Sequence, residues 1–323
     1  MKILVTGSSG FVGKALVAAL QERGHDVRGL SRAVRAGSLQ GDLLDPSSLS
    51  TALQSLEPEI VYNLAGQTDL KGPASSYAAN VEGVANLLDA VAAAPSVRRV
   101  VWASSQLVNR PGPKPTSFTH CDPGCAYGAS KAEGERLVRE RDGGGKEWVI
   151  FRSTTIWGPG MSHHYANILR MIRRGRYFHI GRRPLRKSYS YIENLAAQLT
   201  TLGEAPAARV HGRTFYLADS EPVELRHWHD RFAAAFGRCI PTVPLPLARL
   251  AALAGDAAGF IGIRSPITSH RLSNMLTEYL HDVRDIEAVH GPTAISNEEG
   301  VRRTAEWLKS LDAAGPLSQK AGA

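Results

Sequence analysis

Short apolar runs alternate with segments of helical periodicity through the first half of the chain. The run at residues 3–5 predicts a buried strand, and the apolar positions from Phe11 to Leu20 recur at the spacing of one helix face. Strands that alternate with helices in this way are typical of a mostly parallel, doubly wound α/β sheet with right-handed crossovers. The pattern predicts further strands over 27–31, 60–64, 97–103 and 147–152, and helices over 46–56, 75–94 and 126–141.

A cluster of glycines and small polar residues follows the first predicted strand. The sequence TGSSGFVG places Gly7, Gly10 and Gly13 between that strand and the first helix. Gly7 would permit a tight turn, Gly10 would let the backbone approach a pyrophosphate, and Gly13 would allow close packing of the helix. A glycine turn between a strand and a helix directs backbone N–H groups at an anion. This context favours a dinucleotide site over a turn without a ligand.

Composition limits the class of protein. With 323 residues, 43% of them hydrophobic, the chain can fill one large or two modest domains. The apolar stretch 245–263 is interrupted by Arg249 and Asp256 and predicts a packed pair of helices rather than a membrane span. Three cysteines and no recognisable signal peptide predict a reducing cytoplasm. Cys121 and Cys125 lack a second pair of ligands, so loop cysteines are favoured over a metal site.

Positive charge is concentrated in one segment, which we call the basic stretch (residues 170–187). The chain carries a net charge of +8, and this stretch contains no Asp or Glu. A solvated basic face is one interpretation. Because Tyr177 and Phe178 are its only aromatic residues, a phosphate-bearing small molecule fits better than nucleic acid, and neither nucleic acid nor membrane is a predicted partner. The basic residues are Arg170, Arg173, Arg174, Arg176, Arg182, Arg183, Arg186 and Lys187.

The end of the second predicted strand bears on the choice of nicotinamide cofactor. Dinucleotide folds usually carry an acidic residue there that holds the ribose hydroxyls of NAD. This chain has Ser31, Arg32 and Arg35 instead, which can donate hydrogen bonds to a 2′-phosphate. The sequence therefore favours NADP over NAD. Asp42, at the next junction of strand and helix, is placed to accept a hydrogen bond from the adenine amino group.

Two stretches carry candidate catalytic groups. In CAYGASKAEGE, Tyr127 and Lys131 lie four residues apart and therefore on one face of the predicted helix. In VVWASSQLV, Ser104 and Ser105 end a buried strand. A nearby lysine ammonium, together with a cationic nicotinamide, would lower the pKa of the tyrosine and suit it to acid/base work. A serine hydroxyl opposite could hold the substrate oxygen that gains or loses the proton.

The histidines do not form a recognisable metal site. The pair at positions 163 and 164, and the pair His227 and His229, lack a carboxylate or cysteine at ligand spacing. We interpret them as loop or helix-surface residues. His179 lies within the basic stretch, where it could contact a phosphate.

The combined motifs resemble those of the extended short-chain dehydrogenase/reductases, the NAD(P)-dependent sugar epimerase/dehydratase family. TGSSGFVG matches the glycine turn of that family, and VYNLAGQTD resembles its stretch after the fourth strand. NVEGVANLLDA, SSQLV and YGASK resemble the segments that carry its active-site asparagine, serine, tyrosine and lysine. RSTTIWGPG, KSYSYIENLA and ISNEEGVRRTAEWL resemble later segments, so the likeness covers nearly the whole chain.

The resemblance implies a role for each matched residue. Tyr127 would be the acid/base, Lys131 would tune it and anchor the ribose, Ser105 would hold the substrate oxygen, and Asn80 would support Lys131 through water. Ser105, Thr155, Lys187 and Arg271 are the predicted substrate contacts. Besides Tyr127 and Lys131, the predicted cofactor contacts are Gly7, Ser9, Gly10, Phe11, Val12, Gly13, Ser31, Arg32, Asp42, Leu43, Leu64, Ala65 and Gly66.

Several positions depart from the pattern of the family. Ser153 and Thr155 stand where Pro and Asn are common, and Lys187 replaces the arginine that usually holds a nucleotide diphosphate. Gln106 and Leu107 occupy the positions where 4,6-dehydratases carry an Asp–Glu pair. Neither residue can act as acid or base, so the sequence argues against dehydration.

The resemblance also implies an organisation in two domains. We expect a dinucleotide-binding domain over 1–155, with returns near 186–198 and 213–219, a mainly substrate-binding domain over 156–315, and a flexible tail over 316–323. The family often dimerises through the helices predicted here at 75–94 and 126–141, which implies a homodimer.

Three hypotheses for the function remain. The favoured one is hydride transfer at a secondary alcohol or ketone of a nucleotide-activated sugar, as a C4 epimerase or a 4-keto reductase. A reductase or dehydrogenase of a hydroxysteroid-like or other apolar alcohol would share every catalytic residue. A non-catalytic NADP-sensing protein is the third hypothesis, against which the intact Tyr127 and Lys131 argue.

Overall fold

A computed structural model describes residues 1–33, 37–70, 72–112, 115, 117–161, 163–260, 265 and 268–313. Its strands are β1 (Lys2–Thr6), β2 (Asp26–Ser31), β3 (Ser38–Gln40), β4 (Ile60–Asn63), β5 (Arg99–Ser105), β6 (Glu147–Ser153), β7 (Thr155–Trp157), β8 (His179–Ile180), β9 (Arg186–Lys187), β10 (Tyr189–Tyr191), β11 (Arg213–Leu217), β12 (Val223–Glu224) and β13 (Thr242–Val243). Its helices are α1 (Phe11–Glu22), α2 (Pro46–Leu56), α3 (Ala78–Ala92), α4 (Ala126–Glu140), the short α5 (Asp142–Gly145), α6 (His163–Arg173), α7 (Ile192–Glu204), α8 (Ala207–Val210), α9 (Leu225–Ala235), α10 (Leu245–Phe260), α11 (Ser269–Leu276), α12 (Arg284–His290) and α13 (Asn297–Ala313).

Seven parallel strands form the central sheet, in the order β3-β2-β1-β4-β5-β6-β11. From β1 the chain adds β2 and then β3 on one side, and from β4 it adds β5, β6 and β11 on the other. The strand order therefore reverses between β1 and β4. Ligands of doubly wound sheets bind at the carboxyl ends of the strands at such a point. The predicted α/β fold with a doubly wound parallel sheet is confirmed.

Residue alternation along the strands builds a core on each face of this sheet. Leu4 belongs to one buried cluster, while its neighbours Ile3 and Val5 belong to the other, as the two-residue period of a strand requires. The Leu4 cluster includes residues of α2 and α3, and the other includes residues of α1 and α7. Helices on both faces leave the ends of the strands as the place for a ligand.

Local sequence explains where the first helices begin and end. Helix α2 spans the predicted 46–56, because the Asp45 carboxylate accepts the Ser47 and Ser48 N–H groups and Pro46 fits the first helical position. The helix predicted over 75–94 instead begins as a 3₁₀ turn, Ala74–Tyr77, and α3 ends at Ala92. Strand β3 was not predicted, because three residues are too few for a period to be recognised.

The apolar stretch 245–263 forms one helix, α10, over its described residues. The predicted pair of helices within this stretch is therefore wrong, and α10 packs instead against α11. Residues 261–263 lie outside the described residues. Among the helices that the structure describes, none is both long and apolar enough to cross a membrane.

The chain divides into two compact units. The first comprises residues 1–156, 192–220 and 281–294 and contains the central sheet. The second comprises residues 157–191, 221–280 and 295–323, and its core includes Trp157, Trp228 and Phe232 in edge-to-face contact. Two small two-stranded sheets, β8 with β13 and β9 with β12, also belong to the second unit. The predicted tail over 316–323 lies outside the described residues.

Candidate functional site

The glycine turn (residues 6–13) closes tightly at the carboxyl end of β1. Gly7 has φ +68°, a left-handed conformation that favours glycine, and its carbonyl accepts the Gly10 N–H at 3.0 Å. A Cβ on Gly13 would overlap the Gly7 carbonyl oxygen. The close contact of Gly13 is therefore with the turn itself, rather than with a second helix.

This turn fits the pyrophosphate of a dinucleotide. Helix α1 begins after Gly10, and no side chain caps its first N–H groups. Uncapped N–H groups at a helix N-terminus provide donors for an anion. The Thr6 hydroxyl fixes the adjacent strand ends, because it donates to Asn63 Oδ1 at 2.8 Å and accepts the Ala65 N–H at 3.0 Å. Ser9, Phe11 and Val12 are the other predicted cofactor contacts here.

The end of β2 presents the residues predicted to choose the cofactor. Ser31 pairs with Gln40 of β3, and Arg32 is exposed, with no carboxylate partner in the described part of the chain. Arg32 and Asp42 both line a cavity of ≈ 550 Å³. Arg35, the other arginine in this segment, lies outside the described residues.

Asp42 and Leu43 are held by contacts within the protein. Asp42 Oδ1 accepts the Leu44 N–H at 3.0 Å, which fixes the carboxylate at the start of the turn into α2. Leu43 is buried in the core, and its carbonyl accepts a hydrogen bond from Asn86 at 2.9 Å. The roles of Asp42 and Leu43 as cofactor contacts remain predictions.

Helix α4 brings Tyr127 next to Ser105 at the end of β5. The helix starts against the 3₁₀ turn Gln106–Val108, where a Cβ on Gly128 would overlap the Leu107 carbonyl. Tyr127 is 8% exposed and Ser105 is 6% exposed, and the two side chains are close enough for Ser105 to influence the pKa of the Tyr127 hydroxyl. Ser105 Oγ also accepts the Leu107 N–H at 3.2 Å. The two predicted hydroxyls therefore meet in a largely dry place.

Lys131 lies one turn further along the same face of α4. It is 7% exposed, and its ammonium donates to the Ala103 carbonyl of β5 at 3.1 Å. A Cβ on Gly66, in the loop that contains Leu64 and Ala65, would lie 3.3 Å from Lys131 Nζ. The structure thus brings the predicted residues after β4 close to the lysine.

Burial shifts the pKa values of both groups. It raises the pKa of Tyr127, and the Ser105 hydroxyl acts in the opposite direction. It lowers the pKa of Lys131 to about 8, against the attraction of the nearby Glu135 carboxylate. The expectation that Lys131 and a cationic nicotinamide together lower the pKa of Tyr127 stays a prediction. In the protein alone this pKa lies above its ordinary value. The physical reason is that burial outweighs the other contributions, while the Lys131 ammonium is hydrogen-bonded to Ala103.

Asn80 joins the loop after β4 to helix α4. Its amide accepts the Gln67 N–H and donates to the Gln67 carbonyl, both at 3.0 Å, and it also donates to Ser130 Oγ at 2.9 Å. Ser130 in turn donates to the Tyr127 carbonyl at 2.7 Å. Asn80 therefore fixes the backbone on both sides of the site, and its predicted link to Lys131 through water remains a prediction.

Sequence reasoning missed a buried ion pair behind this site. Glu135 continues the four-residue spacing of Tyr127 and Lys131, and its carboxylate binds Arg152 of β6 at 2.8 Å through both oxygens. Ser104 donates to the same carboxylate at 2.5 Å, so the first serine of the pair has a structural partner. Burial alone would raise the pKa of Glu135, but the surrounding donors and positive charges hold it below its ordinary value.

Sequence reasoning also missed His281, which lies next to Gln106, the residue that follows Ser105. His281 Nε2 lies 3.0 Å from Gln106 Oε1, and its ring stacks on Tyr216 at 4.1 Å between centroids. Burial, reinforced by the charge of Arg152, lowers the pKa of His281 to about 4. The imidazole is therefore neutral, and its Nε2–H donates to Gln106. Thr155 joins this group, since Gln106 Nε2 lies 3.5 Å from its hydroxyl.

Two predicted substrate residues, Lys187 and Arg271, lie in the second unit. Lys187 Nζ donates to the Asn274 carbonyl at 3.3 Å, and burial lowers its pKa. Arg271 is exposed and donates to the Ser265 carbonyl at 3.2 Å. None of the eight basic residues of the basic stretch, all of them described, is buried. The stretch therefore does not line a buried pocket, because five of its eight basic side chains are exposed and the other three, Lys187 among them, are only half-buried.

One histidine of the second unit, His229, does not lie at the surface as the sequence analysis predicted. His227 is exposed and pairs with Glu224, but His229 is buried against Trp228, where burial lowers its pKa to about 3. The prediction of a surface position is therefore wrong for His229, which lies on the buried face of α9. His179 pairs with Asp230 at 2.8 Å. Within the described residues, no group of three His, Cys, Asp or Glu side chains could hold a metal ion.

Comparison with known proteins places this geometry among nicotinamide-dependent enzymes. Residues 3–218 match the NAD dependent epimerase/dehydratase family. A 2-alkyl-3-oxoalkanoate reductase of Stenotrophomonas maltophilia is 28% identical over 97% of this chain and all of its own length. A 3-beta-hydroxysteroid dehydrogenase of Mycolicibacterium neoaurum is 27% identical over 75% of this chain and 72% of its own length.

Solved structures agree over almost the whole chain. A short-chain dehydrogenase/reductase superfamily protein of Agrobacterium tumefaciens with bound NAD is 26% identical, with a TM-score of 0.74 and coverage of 97% of this chain and 98% of its own. The UDP-glucose 4-epimerase of Thermus thermophilus in complex with NAD is 20% identical, with a TM-score of 0.72 over 96% and 99% of the two chains. At this identity the epimerase shows a shared fold alone.

Proposed function

Because the chain belongs to the NAD-dependent epimerase/dehydratase family and is an NAD(P)-dependent enzyme of the extended short-chain dehydrogenase/reductase type, we propose that it interconverts a ketone and a secondary alcohol on a largely apolar substrate. The observation that carries this proposal is the buried pair of hydroxyls on Tyr127 and Ser105, one helical turn from Lys131. Two neighbouring hydroxyls in a dry place can together hold and protonate one carbonyl oxygen.

Each residue has a distinct part in this reaction. In the direction of reduction, Ser105 donates a hydrogen bond to the ketone oxygen and Tyr127 transfers its phenolic proton to that oxygen. A reduced nicotinamide held at the glycine turn would supply the hydride, so that the carbonyl would gain one hydride and one proton and become an alcohol. Lys131 holds the cofactor ribose and favours the phenolate that remains on Tyr127, while Asn80 fixes the neighbouring backbone.

The surroundings of Ser105 favour a neutral substrate. Gln106 stands next to Ser105 and is held by the neutral His281, and Thr155 is the third polar side chain of this group. None of these three carries a charge that would match a diphosphate. A relative that covers 97% of this chain is named a 2-alkyl-3-oxoalkanoate reductase, which agrees with a ketone on an apolar body.

A panel of substrates tests this proposal. The purified enzyme is incubated with NADPH or NADH and with 3-oxoalkanoates of increasing chain length, 3-oxosteroids, or UDP-sugars. We expect oxidation of the reduced cofactor with at least one apolar ketone. Epimerisation of a UDP-sugar, with no turnover of any ketone in the panel, would overturn the substrate class.

The cofactor proposed for this reaction is NADP in preference to NAD. The solved relatives named above contain NAD, so the preference rests on the end of β2 in this chain, where Ser31 and the exposed Arg32 replace an acid. We expect NADP to bind about tenfold more tightly than NAD, and Arg32→Ala to remove most of that difference, since it deletes one charge-assisted contact. Equal affinities of the unmodified protein for the two cofactors, measured by calorimetry, would contradict this.

A nucleotide-activated sugar is the second candidate substrate, favoured by the eight positive charges of the basic stretch. If a diphosphate binds there, Lys187 and Arg271 become its contacts, and the enzyme is a C4 epimerase or a 4-keto reductase. Uridine or guanosine diphosphate alone would then compete with substrate. No binding of either at millimolar concentration, with turnover of an apolar ketone, would exclude this candidate.

The same family resemblance supports a homodimer formed through α3 and α4. These helices lie side by side in the first unit, and pairing them with a second copy would give a four-helix contact. Sedimentation velocity measures the state of the free enzyme directly. A monomer at micromolar concentration would contradict this proposal.

A further inference from the structure

Helix α10 in the second unit has an inverted arrangement of large and small apolar residues. It buries Ala248, Ala252 and Gly255, which recur at helical spacing on one face. Three leucines on the other side of the helix are exposed: Leu247 at 56%, Leu250 at 63% and Leu253 at 60%. Leucines normally provide the buried face of a helix, so their exposure requires an explanation.

The three leucines, which we call the leucine face, form a continuous stripe. At 3.6 residues per turn they cover about a third of the circumference and extend about 9 Å along the axis. The small residues on the opposite side pack onto α11 around Leu272, and the Asp256 carboxylate accepts the Ser269 N–H at 3.1 Å. The helix is therefore attached to the protein by its small residues, which leaves the leucine face outward.

Positive charge lies on the flank of α10 and near its N-terminal end. Arg249 is exposed on the flank of α10 itself. The exposed Arg182 and Arg183 follow β8, which pairs with β13 just before α10 begins. These arginines lie near the N-terminal end of α10, because Gly181 donates to the Val243 carbonyl at 2.9 Å, and a Cβ on Gly181 would lie 3.6 Å from Leu245 Cβ. Leu245 itself is not part of the leucine face.

We propose that the leucine face, with Arg249 on its flank and with Arg182 and Arg183 near the start of α10, binds the surface of an anionic phospholipid membrane. A helix that presents leucines on its outer face and arginines beside them matches the chemistry of a lipid interface, where acyl chains receive the leucines and anionic headgroups the arginines. A second copy of this chain fits less well, because a symmetric contact through the leucine face would bring Arg249 near its own equivalent. This surface lies outside the proposed catalytic residues, so the inference stands independently of the proposed substrate.

Vesicle sedimentation tests the proposal. The full-length protein is mixed with vesicles of phosphatidylcholine alone or with one third phosphatidylglycerol, and the bound fraction is measured at low and high salt. We expect binding to the anionic vesicles to be at least about tenfold stronger than to the neutral ones and to weaken with salt, because exposed charges are screened. Equal or absent binding to the two vesicle types would overturn the proposal.

Variants separate the two contributions. Replacing all three leucines by glutamine (Leu247→Gln, Leu250→Gln, Leu253→Gln) should reduce binding to anionic vesicles by about tenfold or more, because the apolar contact is lost. Arg182→Gln with Arg183→Gln should remove most of the preference for anionic lipid. Leu70→Gln, at a leucine 55% exposed in the first unit, is the matched control for Leu250→Gln and should leave binding unchanged.

Two further measurements test whether the variants remain folded and whether the leucine face itself contacts the lipid. Because the leucines are exposed, the triple variant should keep the melting temperature and the ketone turnover of the unmodified enzyme. In the Leu250→Trp variant, brominated lipid should quench the fluorescence of the introduced indole only in anionic vesicles. If the triple variant instead changes a dimer to a monomer in sedimentation velocity, and the introduced indole is not quenched, the face is a contact between copies and the proposal is wrong.

Discussion

The buried face of α4 in the first unit and the basic stretch in the second unit are both rich in charged side chains. The charged side chains are buried on α4 and largely exposed in the basic stretch. On α4, Lys131 and Glu135 are buried, and Glu135 is matched by Arg152. In the basic stretch, which contains no Asp or Glu, the cationic side chains are exposed or only half-buried. A buried charge requires a partner, whereas an exposed one does not. The dense run of charged residues in the sequence therefore corresponds to a surface here. The four-residue spacing of Tyr127, Lys131 and Glu135 corresponds to the candidate site.

The comparison predicts its largest effect at Glu135. Glu135→Ala leaves the buried Arg152 guanidinium without its carboxylate, and we expect a loss of about 3–5 kcal/mol in the free energy of unfolding. Urea unfolding followed by circular dichroism measures this. Glu133→Ala is the matched control on the same helix, because Glu133 pairs with Arg136 in the solvent and should cost far less. Equal losses in the free energy of unfolding for the two variants would show that the buried ion pair contributes no more to stability than the exposed one.

Gln106→Glu should give the enzyme a new pH dependence. A carboxylate at this position would stabilise the imidazolium of His281 and raise its pKa from about 4 toward neutrality. The imidazolium then forms as pH falls below 7, so kcat/KM should drop by about fivefold between pH 7 and pH 5 in the variant only. Adding His281→Phe, which keeps a ring against Tyr216, should abolish this drop. A variant profile parallel to that of the unmodified enzyme would separate His281 from the site.

The smallest effect is expected at Lys187. If the substrate is an apolar ketone, Lys187→Ala should change KM by less than about twofold, because no diphosphate binds the ammonium. If a diphosphate does bind, the loss of a charge-assisted hydrogen bond of about 1.5–3 kcal/mol should raise KM more than about tenfold. The value of KM for each substrate class therefore decides whether the basic stretch belongs to the site.

The sequence predicted most of the sheet, and it predicted the elements around the glycine turn best. Helix α2 carries its own start in Asp45 and Pro46, so local rules were sufficient there. His281 could not be found, because its partner Gln106 lies 175 positions away and only the fold brings them together. Glu135 could have been found, since it extends the spacing of Tyr127 and Lys131 by one more turn. The exposure of the α10 leucines could not have been predicted, because apolar periodicity does not show which side of a helix packs against the rest of the protein.

The central claim is that Tyr127 transfers the proton that accompanies hydride transfer. Single-turnover oxidation of NADPH by an accepted ketone is measured for the unmodified enzyme, for Tyr127→Phe and for Tyr77→Phe, a control whose ring lies 6.1 Å from that of Tyr127 and whose hydroxyl donates to the Asp69 carbonyl. We expect Tyr127→Phe to slow this step by about 10²-fold or more at unchanged cofactor affinity, and Tyr77→Phe to have little effect. A rate for Tyr127→Phe within about threefold of the unmodified enzyme would contradict the account, because an acid/base group contributes far more than that.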